Sequence, residues 1–426
     1  MKIKKIEAFE VLDSRGNPTI KTLIMLENGL VGHSMVPSGA STGAKEKLEL
    51  RDGNGKRFAG KGVLTAIKNA KEKIFSALSG TDIENQKEID QKMIEADGSE
   101  DKSNFGANAI LGVSLAVCRA GAKNENIPLW QYIQKKYEIE KKEGYQFPVP
   151  MMNVINGGLH ADSGLDIQEF MLVPSGIKTF FEKIRAGAEI YQNLGKLLKE
   201  SGYKIAVGDE GGFASNLPSN EEALKFIKRA VEKSSYEMGK DVKTGIDSAS
   251  SEFFDKEKEL YNLKMDNVSL NSHQLSTMFS QWIEKYQMEL IEDPMAEADW
   301  EGWANFNQVV GNKISLIGDD LLVTDIKILK EAIEKKACNA VLIKVNQIGT
   351  LSEAVECAEF AKKNKMKIAI SHRSGETTDD FISDLAVALE AEYVKFGAPA
   401  RGERVSKYNR IIEIEKTQNS DFGKFF

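Results

Sequence analysis

Cysteine is scarce in this sequence, which has three cysteines among 426 residues. Cys118, Cys338 and Cys357 form an odd, scattered set without the spacing of metal ligands. A cysteine-based metal site is therefore not expected. The three side chains are typical of small core residues in a protein from a reducing compartment.

Long apolar runs and an excess of positive charge are also missing. No run approaches the roughly 18 apolar residues of a membrane-spanning helix. Glu7, Glu10 and Asp13 interrupt the N-terminal stretch, which therefore does not fit a signal peptide. The formal net charge of −7 argues against non-specific nucleic-acid binding. We expect a cytoplasmic globular protein with neither a nucleic-acid nor a membrane partner.

The chain of 426 residues is long enough to form more than one hydrophobic core. Residues 3–36 contain β-rich runs separated by turn residues, whereas residues 62–79 and 105–123 have the apolar spacing of helices. A block of strands followed by a block of helices predicts a small α+β domain. The segment 135–150 is charged and then interrupted by prolines, which is typical of a domain boundary.

We accordingly predict an N-terminal α+β domain at residues 1–135 and a C-terminal domain at residues 136–426. In the second domain, short apolar runs end at a polar or charged side chain, at Asp247, Glu292, Asp319, Lys344, His372–Ser374 and Lys395. From Glu292 onward the intervals are 27, 25, 28 and 23 residues, about the length of a strand, a turn and a helix. The pattern predicts an α/β fold with a parallel β/α barrel, whose strand ends form the active-site face.

Three carboxylates, Asp247, Glu292 and Asp319, stand at consecutive predicted strand ends. Converging acids raise one another's pKa unless a cation lies among them, and hard oxygen ligands favour Mg²⁺. The alternative is that each acid only caps the helix that follows it. For three acids in succession we favour a metal site.

Basic and polar side chains follow the next strands. Burial and neighbouring cations would lower the pKa of Lys344, as a general base requires, although its stem could simply extend along a strand edge. His372, Arg373 and Ser374 offer donors suited to a phosphate, and Lys395 adds a positive charge. These residues predict an anionic substrate held between a metal and cationic side chains.

A separate pair of acids, Asp209 and Glu210, lies between glycines in AVGDEGGFA, residues 206–214. Such a stretch forms either a plain solvated turn or a deliberately presented functional pair. Taken alone, the stretch favours the turn.

Nine short stretches resemble signature sequences of the enolase family, and they occur in the family's order over almost the whole chain. They are VPSGASTG, NVINGGLHA, DIQEFM, GDEGGF, IEDPMAEADWEGW, GDDLLVT, LIKVNQIGTL, SHRSGET and GAPAR. One stretch is a moderate signal, whereas nine in order are highly specific. The resemblance implies an enolase-type (β/α)8 barrel preceded by the N-terminal α+β domain.

The resemblance also implies a glycolytic lyase that reversibly dehydrates 2-phosphoglycerate to phosphoenolpyruvate with two Mg²⁺ ions per active site. Lys344 would remove the proton from C2 of the substrate, and Glu210 would act as the general acid with support from Glu169. Loss of the C2 proton would leave a carbanion next to the substrate carboxylate, and the two divalent cations would stabilise its negative charge.

Further residues receive roles only through this resemblance. The implied metal ligands are Asp247, Glu292 and Asp319 for a first Mg²⁺ and Ser41 of a mobile loop for a second. The implied substrate-binding residues are His160, Gln168, Glu169, Ser371, His372, Arg373, Ser374 and Lys395.

Several positions differ from the usual family pattern, namely His33–Met35, Gly402 and the stretch HADSGLDIQ, which is slightly altered after His160. They bear on local packing or on a subunit interface and not on a residue with an implied chemical role. The family further implies a homodimer or an octamer. It also includes surface-displayed plasminogen binders, often with a C-terminal lysine, but the ending FGKFF weakens that interpretation. A surface or secreted pool without a signal peptide stays open.

Two other functions compete with dehydration. A racemase or cycloisomerase of the same superfamily typically carries a Lys-x-Lys base where this chain has GDEGG. A binding or scaffold protein could retain the fold without using the site, although the set of Lys344, Glu210 and three carboxylates argues against it.

Overall fold

The computed structural model describes residues 1–39, 43, 45–53, 55–140 and 147–419. The N-terminal part begins with an antiparallel sheet of three strands in the order β1–β2–β3, which are β1 Ile3–Leu12, β2 Pro18–Leu26 and β3 Val31–Met35. Five helices follow: α1 Leu64–Asn69, α2 Phe75–Leu78, α3 Gln86–Asp97, α4 Ala107–Glu125 and α5 Leu129–Tyr137, with a π-helical turn at Ala70–Ile74 between the first two. The predicted strands and helices of this part are confirmed.

Helix α4 forms the centre of the N-terminal core, because every residue from 107 to 122 is buried. The helix packs closely on β2 and β3. A Cβ atom at Gly32 of β3 would lie 2.1 Å from the carbonyl oxygen of Ala116, so only glycine permits this approach. On its other side α4 contacts elements of the C-terminal part.

The C-terminal part is built on a nine-stranded sheet in the order β4–β15–β14–β13–β12–β11–β7–β6–β5. Its strands are β4 Val149–Pro150, β5 Met152–Asn156, β6 Glu169–Val173, β7 Lys243–Asp247, β11 Met288–Glu292, β12 Ser315–Gly318, β13 Ala340–Ile343, β14 Lys367–Ser371 and β15 Tyr393–Lys395. A separate small antiparallel sheet contains β8 Phe254–Asp255, β9 Leu260–Leu263 and β10 Val268–Leu270.

The sheet closes through one extended segment, residues 149–156. Its first part pairs in parallel with β15, where Met151 donates its backbone N–H to Val394 at 2.7 Å. Its second part pairs with β6 at the other end of the strand order. The two ends of the sheet therefore meet in the same segment, and the predicted barrel is confirmed.

One strand departs from the parallel pattern predicted from the repeat. β6 runs antiparallel to both β5 and β7. The reason is the connection between β5 and β6, which contains only a short 3-10 turn at Gly158–His160 and no crossover helix. Without such a crossover the chain reverses direction. The remaining neighbours from β7 to β15 pair in parallel.

Helices separate the later strands, as the amphipathic segments predict. They are α6 Phe180–Glu200, α7 Asn220–Glu232, α8 Ser272–Tyr286, α9 Trp300–Val310, α10 Ile326–Lys335, α11 Val345–Ile348, α12 Leu351–Lys363, α13 Phe381–Ala388 and α14 Gly402–Thr417. Among the described residues, no helix combines the length and the apolar character needed to cross a membrane. Cys118, Cys338 and Cys357 are buried and unbridged, as expected for core residues.

A buried ion pair joins the two parts of the chain. Arg119 of α4 donates to both carboxylate oxygens of Asp379 at 2.8 Å and to Asp380 at 2.7 Å. Asp379 also accepts the backbone N–H of Met35 at 2.8 Å. The sheet and helix of the N-terminal part are thereby fixed against the segment that precedes α13.

Candidate active site

A small polar cavity opens where the barrel strands end. Strands β7, β11 and β15 end at Asp247, Glu292 and Lys395, while Asp319 and Lys344 directly follow β12 and β13. The cavity is lined by His160, Gln168, Glu169, Glu210, Asp247, Lys344, Ser371, His372, Arg373, Ser374 and Lys395. The structure thus brings together eleven of the fourteen residues singled out in the sequence.

Lys395 provides the positive charge among the carboxylates at the base of this cavity. Asp247 and Glu292 are register partners on the parallel strands β7 and β11. The Lys395 ammonium donates to both carboxylates, at 2.9 and 2.8 Å, and lies 3.0 Å from Glu169. The group is almost completely buried, yet these carboxylates hold the pKa of Lys395 well above its usual value. The Lys395 ammonium therefore already relieves part of the electrostatic repulsion among these carboxylates.

Asp319 and Lys344 form a further buried ion pair of this site. Asp319 accepts a hydrogen bond from the Lys344 ammonium and another, at 2.9 Å, from Gln347. Its backbone N–H donates to Asp293 at 3.0 Å, which fixes the turn after β12. Neither Gln347 nor Asp293 was anticipated from the sequence.

The predicted lowering of the Lys344 pKa is wrong for this arrangement. Burial by itself favours the neutral amine, but the negative charge of Asp319 outweighs it and raises the pKa of Lys344. In turn, the Lys344 ammonium lowers the pKa of the Asp319 carboxyl against the opposite effect of burial. The lysine is buried next to two further cations, Arg373 and Lys395, as expected, but its direct ion pair dominates.

Glu169 and Glu210 form a carboxyl pair in the same cavity. Burial and the neighbouring Glu210 charge raise the pKa of Glu169 well above its usual value, whereas His160 and His372 help to keep the pKa of Glu210 low despite burial. A carboxylate oxygen of each residue lies within 4.8 Å of one from the other. Burial and mutual charge thus favour the protonated form of Glu169, while its neighbours favour the ionised form of Glu210.

Two ring nitrogens and an amide face Glu210. Nδ1 of His160 and Nε2 of His372 each lie 3.5 Å from its Oε1 atom. The side-chain amide of Asn153 donates to Oε2 at 3.0 Å. Asn153 belongs to the quoted stretch NVINGGLHA, but the sequence carried no separate signal for its contact with Glu210.

The stretch AVGDEGGFA is a turn, yet it is not the solvated turn that the stretch alone favours. Gly208 and Gly212 are joined by a backbone hydrogen bond of 2.8 Å, and Gly211 has φ of +88°. A Cβ atom at Gly208 would lie 2.6 Å from the carbonyl oxygen of His160. The turn therefore packs tightly against the barrel and places Glu210 in the cavity, where it is only 2% exposed.

The segment after β14 provides the cationic wall. Arg373 donates through Nη1 to the side chain of Asn346 at 2.9 Å and binds the carboxylate of Glu46 through two nitrogens, both at 3.0 Å. Ser374 is buried beside it, and the Ser371 hydroxyl donates to the carbonyl of His372 at 2.9 Å. The contact with Glu46 was missed because it joins positions 327 residues apart.

Metal-binding capacity is distributed over two acidic groups. Among the described residues, ligand atoms lie within 4.8 Å of one another in the sets His160–Glu169–Glu210 and Asp293–Asp319–Asp320. The predicted set of Asp247, Glu292 and Asp319 is not gathered within that distance, because Lys395 and Lys344 intervene. Glu292 nevertheless keeps a buried Oε2 atom without a hydrogen-bond partner, and its pKa is raised by burial and by Asp247. Such an oxygen fits a hard cation. Ser41, the predicted ligand from the loop, lies outside the described residues.

Family models match the chain in two consecutive pieces. Residues 3–133 match the enolase N-terminal domain, and residues 144–424 match the enolase C-terminal TIM barrel domain. The matched pieces correspond to the small sheet-and-helix part and to the barrel described above. The chain therefore belongs to the enolase family and is an enolase-type lyase.

Proposed function

We propose that the protein interconverts 2-phosphoglycerate and phosphoenolpyruvate by loss and addition of water. The observation that carries the proposal is the pairing of functions across one cavity. Lys344 and the Glu169–Glu210 pair line the same cavity, and the pKa of Glu169 is raised by burial and by the charge of Glu210. A β-elimination needs a base at one carbon and an acid at the leaving group on the next, and these residues would supply both.

In the proposed reaction, Nζ of Lys344 takes the proton from C2 of the substrate. The electron pair of that C–H bond becomes the C2–C3 double bond, and the C3–O bond breaks. Glu210 gives a proton to the departing hydroxyl group, which leaves as water. Glu169, whose pKa is raised by burial and by the charge of Glu210, would supply this proton to Glu210.

Asp247, Glu292 and Asp319 would hold the first Mg²⁺, and Ser41 would contribute an oxygen to a second. The ions would stabilise the negative charge that builds up on the substrate carboxylate when C2 loses its proton. The ion pair with Asp319 raises the pKa of Lys344, so Lys344 can act as a base only when Asp319 is engaged elsewhere. Engagement of Asp319 as a metal ligand meets this requirement.

The remaining wall residues bind the anionic groups of the substrate in this proposal. Arg373 and Ser374 receive the phosphate, for which a guanidinium offers paired donors. Lys395 lies on the carboxylate side, and His160 and Gln168 line the pocket. Ser371 and His372 complete the binding segment.

The biological setting is proposed on the resemblance to the enolase family. We propose a role in glycolysis and gluconeogenesis, a cytoplasmic location, and a homodimer or octamer. The domain limits 1–135 and 136–426 remain predictions. A role at the cell surface in plasminogen binding has no supporting feature in the described residues.

The experiment compares the activity of the protein towards 2-phosphoglycerate with its activity towards other carboxylate substrates. Purified protein with Mg²⁺ is given 2-phosphoglycerate, and the enol product is followed by its ultraviolet absorbance. Rapid formation of phosphoenolpyruvate supports the proposal. Absence of product together with racemisation or cycloisomerisation of another carboxylate substrate would favour the competing superfamily activities, and inactivity towards all of them would favour a binding protein. Glu210 in the place of a Lys-x-Lys base favours dehydration.

A further inference from the structure

Arg404, at the start of α14, is a buried residue that the proposed reaction does not use. Its side chain has no solvent exposure. Nη1 lies 2.7 Å from Nδ1 of His372 and donates to the carbonyl of Arg373 at 2.7 Å. Nη2 donates to the carbonyl of Asp209 at 2.8 Å and to that of Ser374 at 2.7 Å. All four terminal N–H groups of the guanidinium are thereby used.

These contacts join two separate segments of the site. One segment follows β14 and carries His372 and the phosphate-binding residues of the proposal. The other is the glycine turn, in which Asp209 directly precedes Glu210. The backbone carbonyl of Glu210 in addition accepts the N–H of Ala398 at 3.0 Å. Arg404 is thus the side chain that links the position of His372 to that of the Glu210 turn.

The contact with Nδ1 also determines where His372 carries its proton. A guanidinium has donors and no acceptor, so Nδ1 of His372 must accept. The imidazole is then neutral with its hydrogen on Nε2, which lies 3.5 Å from Oε1 of Glu210. The low pKa of His372, about 3 because of burial, agrees with a neutral ring. Nε2 has no hydrogen-bond partner among the described residues, and it faces the Glu210 carboxylate across this distance.

We propose that Arg404 is a positioning residue that fixes His372 in the Nε2–H tautomer and thereby keeps a hydrogen-bond donor directed at Glu210. With that donor and Asn153 on its two oxygens, Glu210 is held as the proton-accepting member of the carboxyl pair. The opposite tautomer would present a lone pair to the carboxylate and repel it. The ring nitrogen that contacts a functional group is commonly set by the partner of the other nitrogen in this way.

The tautomer can be measured in the unaltered protein. The chain contains four histidines, and ¹⁵N-histidine labelling with long-range ¹⁵N–¹H correlation spectra distinguishes a protonated from an unprotonated ring nitrogen. His372→Gln identifies the signals of His372 by their disappearance. The expected result is an unprotonated Nδ1 and a protonated Nε2 at neutral pH. A protonated Nδ1, or a doubly protonated ring, would overturn the inference.

A second measurement uses kinetics, and this part rests on the proposed function. Arg404→Lys retains the charge but not the four donors. Phosphoenolpyruvate formation should fall by about 10–100-fold, the usual effect of losing a residue that orients a functional side chain. Exchange of the C2 hydrogen with solvent should fall much less, because Lys344 is not affected. Equal loss of both rates would contradict a role through Glu210.

Two further variants separate positioning from general structural damage. Arg410→Lys is the matched control, since Arg410 is a buried arginine of the same helix that pairs with Asp384 at 2.7 and 2.8 Å. It should leave the ratio of turnover to exchange unchanged. In a His372→Gln background, whose amide donates without any tautomer, Arg404→Lys should lower this ratio much less. An undiminished effect would overturn the inference.

If the unaltered protein neither exchanges nor dehydrates 2-phosphoglycerate, the proposed function fails, while the ¹⁵N spectrum still decides the tautomer.

Discussion

Arg373 and Glu46 are joined by a buried ion pair with two parallel contacts. Nη1 of Arg373 lies 3.0 Å from Oε2 of Glu46, and Nη2 lies 3.0 Å from Oε1. Arg373 is 3% exposed. A carboxylate from the N-terminal part therefore occupies the paired donors that the proposed function assigns to the substrate phosphate. Substrate binding and the position of the segment around Glu46 should be coupled through this arginine.

Glu46→Gln should strengthen binding of the anionic substrate. The substitution keeps the shape of the side chain but removes a negative charge that competes for Arg373. We expect the dissociation constant of 2-phosphoglycerate to fall roughly 3–10-fold, because the binding-competent arrangement no longer has to displace an ion pair. Isothermal titration calorimetry at constant Mg²⁺ measures the change.

Glu49→Gln is the matched control, because Glu49 lies on the same segment and pairs with Arg51 at 2.7 Å instead. Its effect on substrate affinity should be small. Weaker binding by the Glu46 variant would mean that Glu46 supports Arg373 and does not compete with the phosphate.

Much of the fold could be predicted from the sequence. The strand ends are marked by a change from apolar to charged residues, and this change is strong at Asp247, Glu292 and Lys395 because buried parallel strands are apolar throughout. The reversal of β6 was missed, since direction is set by the connection between strands and not by the composition of either strand.

Removal of divalent metal should abolish activity and lower thermal stability. Dialysis against a chelator should abolish turnover, and added Mg²⁺ should restore it. An ion that binds only the folded protein should also raise the melting temperature, with about 2.7 kcal/mol of stabilisation at a concentration 100 times the dissociation constant.

Asp319→Asn removes a formal charge from the proposed ligands and should raise the Mg²⁺ concentration needed for half-maximal activity. Asp325→Asn is a control, because Asp325 caps helix α10 outside the cavity. Full turnover in metal-free protein would exclude a carboxylate-bound metal as part of the mechanism.

Stability should depend on His372 in acid. Burial lowers the pKa of His372 from 6.5 to about 3, so the unfolded chain binds this proton first as the pH falls. The contribution is complete above about pH 6.5 and is lost progressively towards pH 3, at up to about 1.4 kcal/mol per pH unit.

His372→Gln should remove that slope, whatever it does to stability at neutral pH. Urea denaturation between pH 7 and pH 4 gives the unfolding free energy of both proteins. Parallel curves for the two proteins would show that His372 is not held neutral in the folded state.

Arg119→Met should destabilise the protein by about 3–5 kcal/mol, because the buried Asp379 carboxylate would lose its counter-charge. Adding Asp379→Asn should recover part of the loss. As a control, Arg185→Met removes an exposed pair with Glu182 and should change stability by less than about 0.5 kcal/mol. Chemical denaturation measures all three. If Arg119→Met changed stability as little as Arg185→Met does, the ion pair between Arg119 and Asp379 would not hold the two parts of the chain together.

The site was less predictable than the fold, for a physical reason. Residues at strand ends can be placed by periodicity, but Glu46, Asn153 and Arg404 act through contacts with partners far away in sequence. The sequence also did not show which charged group lies directly next to Lys344. Lys344 was expected to have a lowered pKa because of burial, whereas its direct contact with Asp319 raises it. Only the folded arrangement reveals which interaction dominates.

The division of labour between Lys344 and Glu210 is tested most directly by measuring two rates on the same variants. Hydrogen exchange at C2 of 2-phosphoglycerate is followed by proton NMR in heavy water, and phosphoenolpyruvate formation is followed by absorbance. Lys344→Ala should lose both, because nothing removes the proton. Glu289→Gln is the control, since Glu289 contacts Lys243 and Tyr393 and does not line the cavity. It should retain both.

Glu210→Gln is the decisive variant, because its amide keeps the shape of the side chain but gives no proton to the leaving group. Exchange at C2 should survive, while phosphoenolpyruvate formation should fall by about 10²–10⁴-fold. Equal loss of exchange and turnover, or unchanged turnover, would contradict the assignment of Glu210 as the acid and Lys344 as the base.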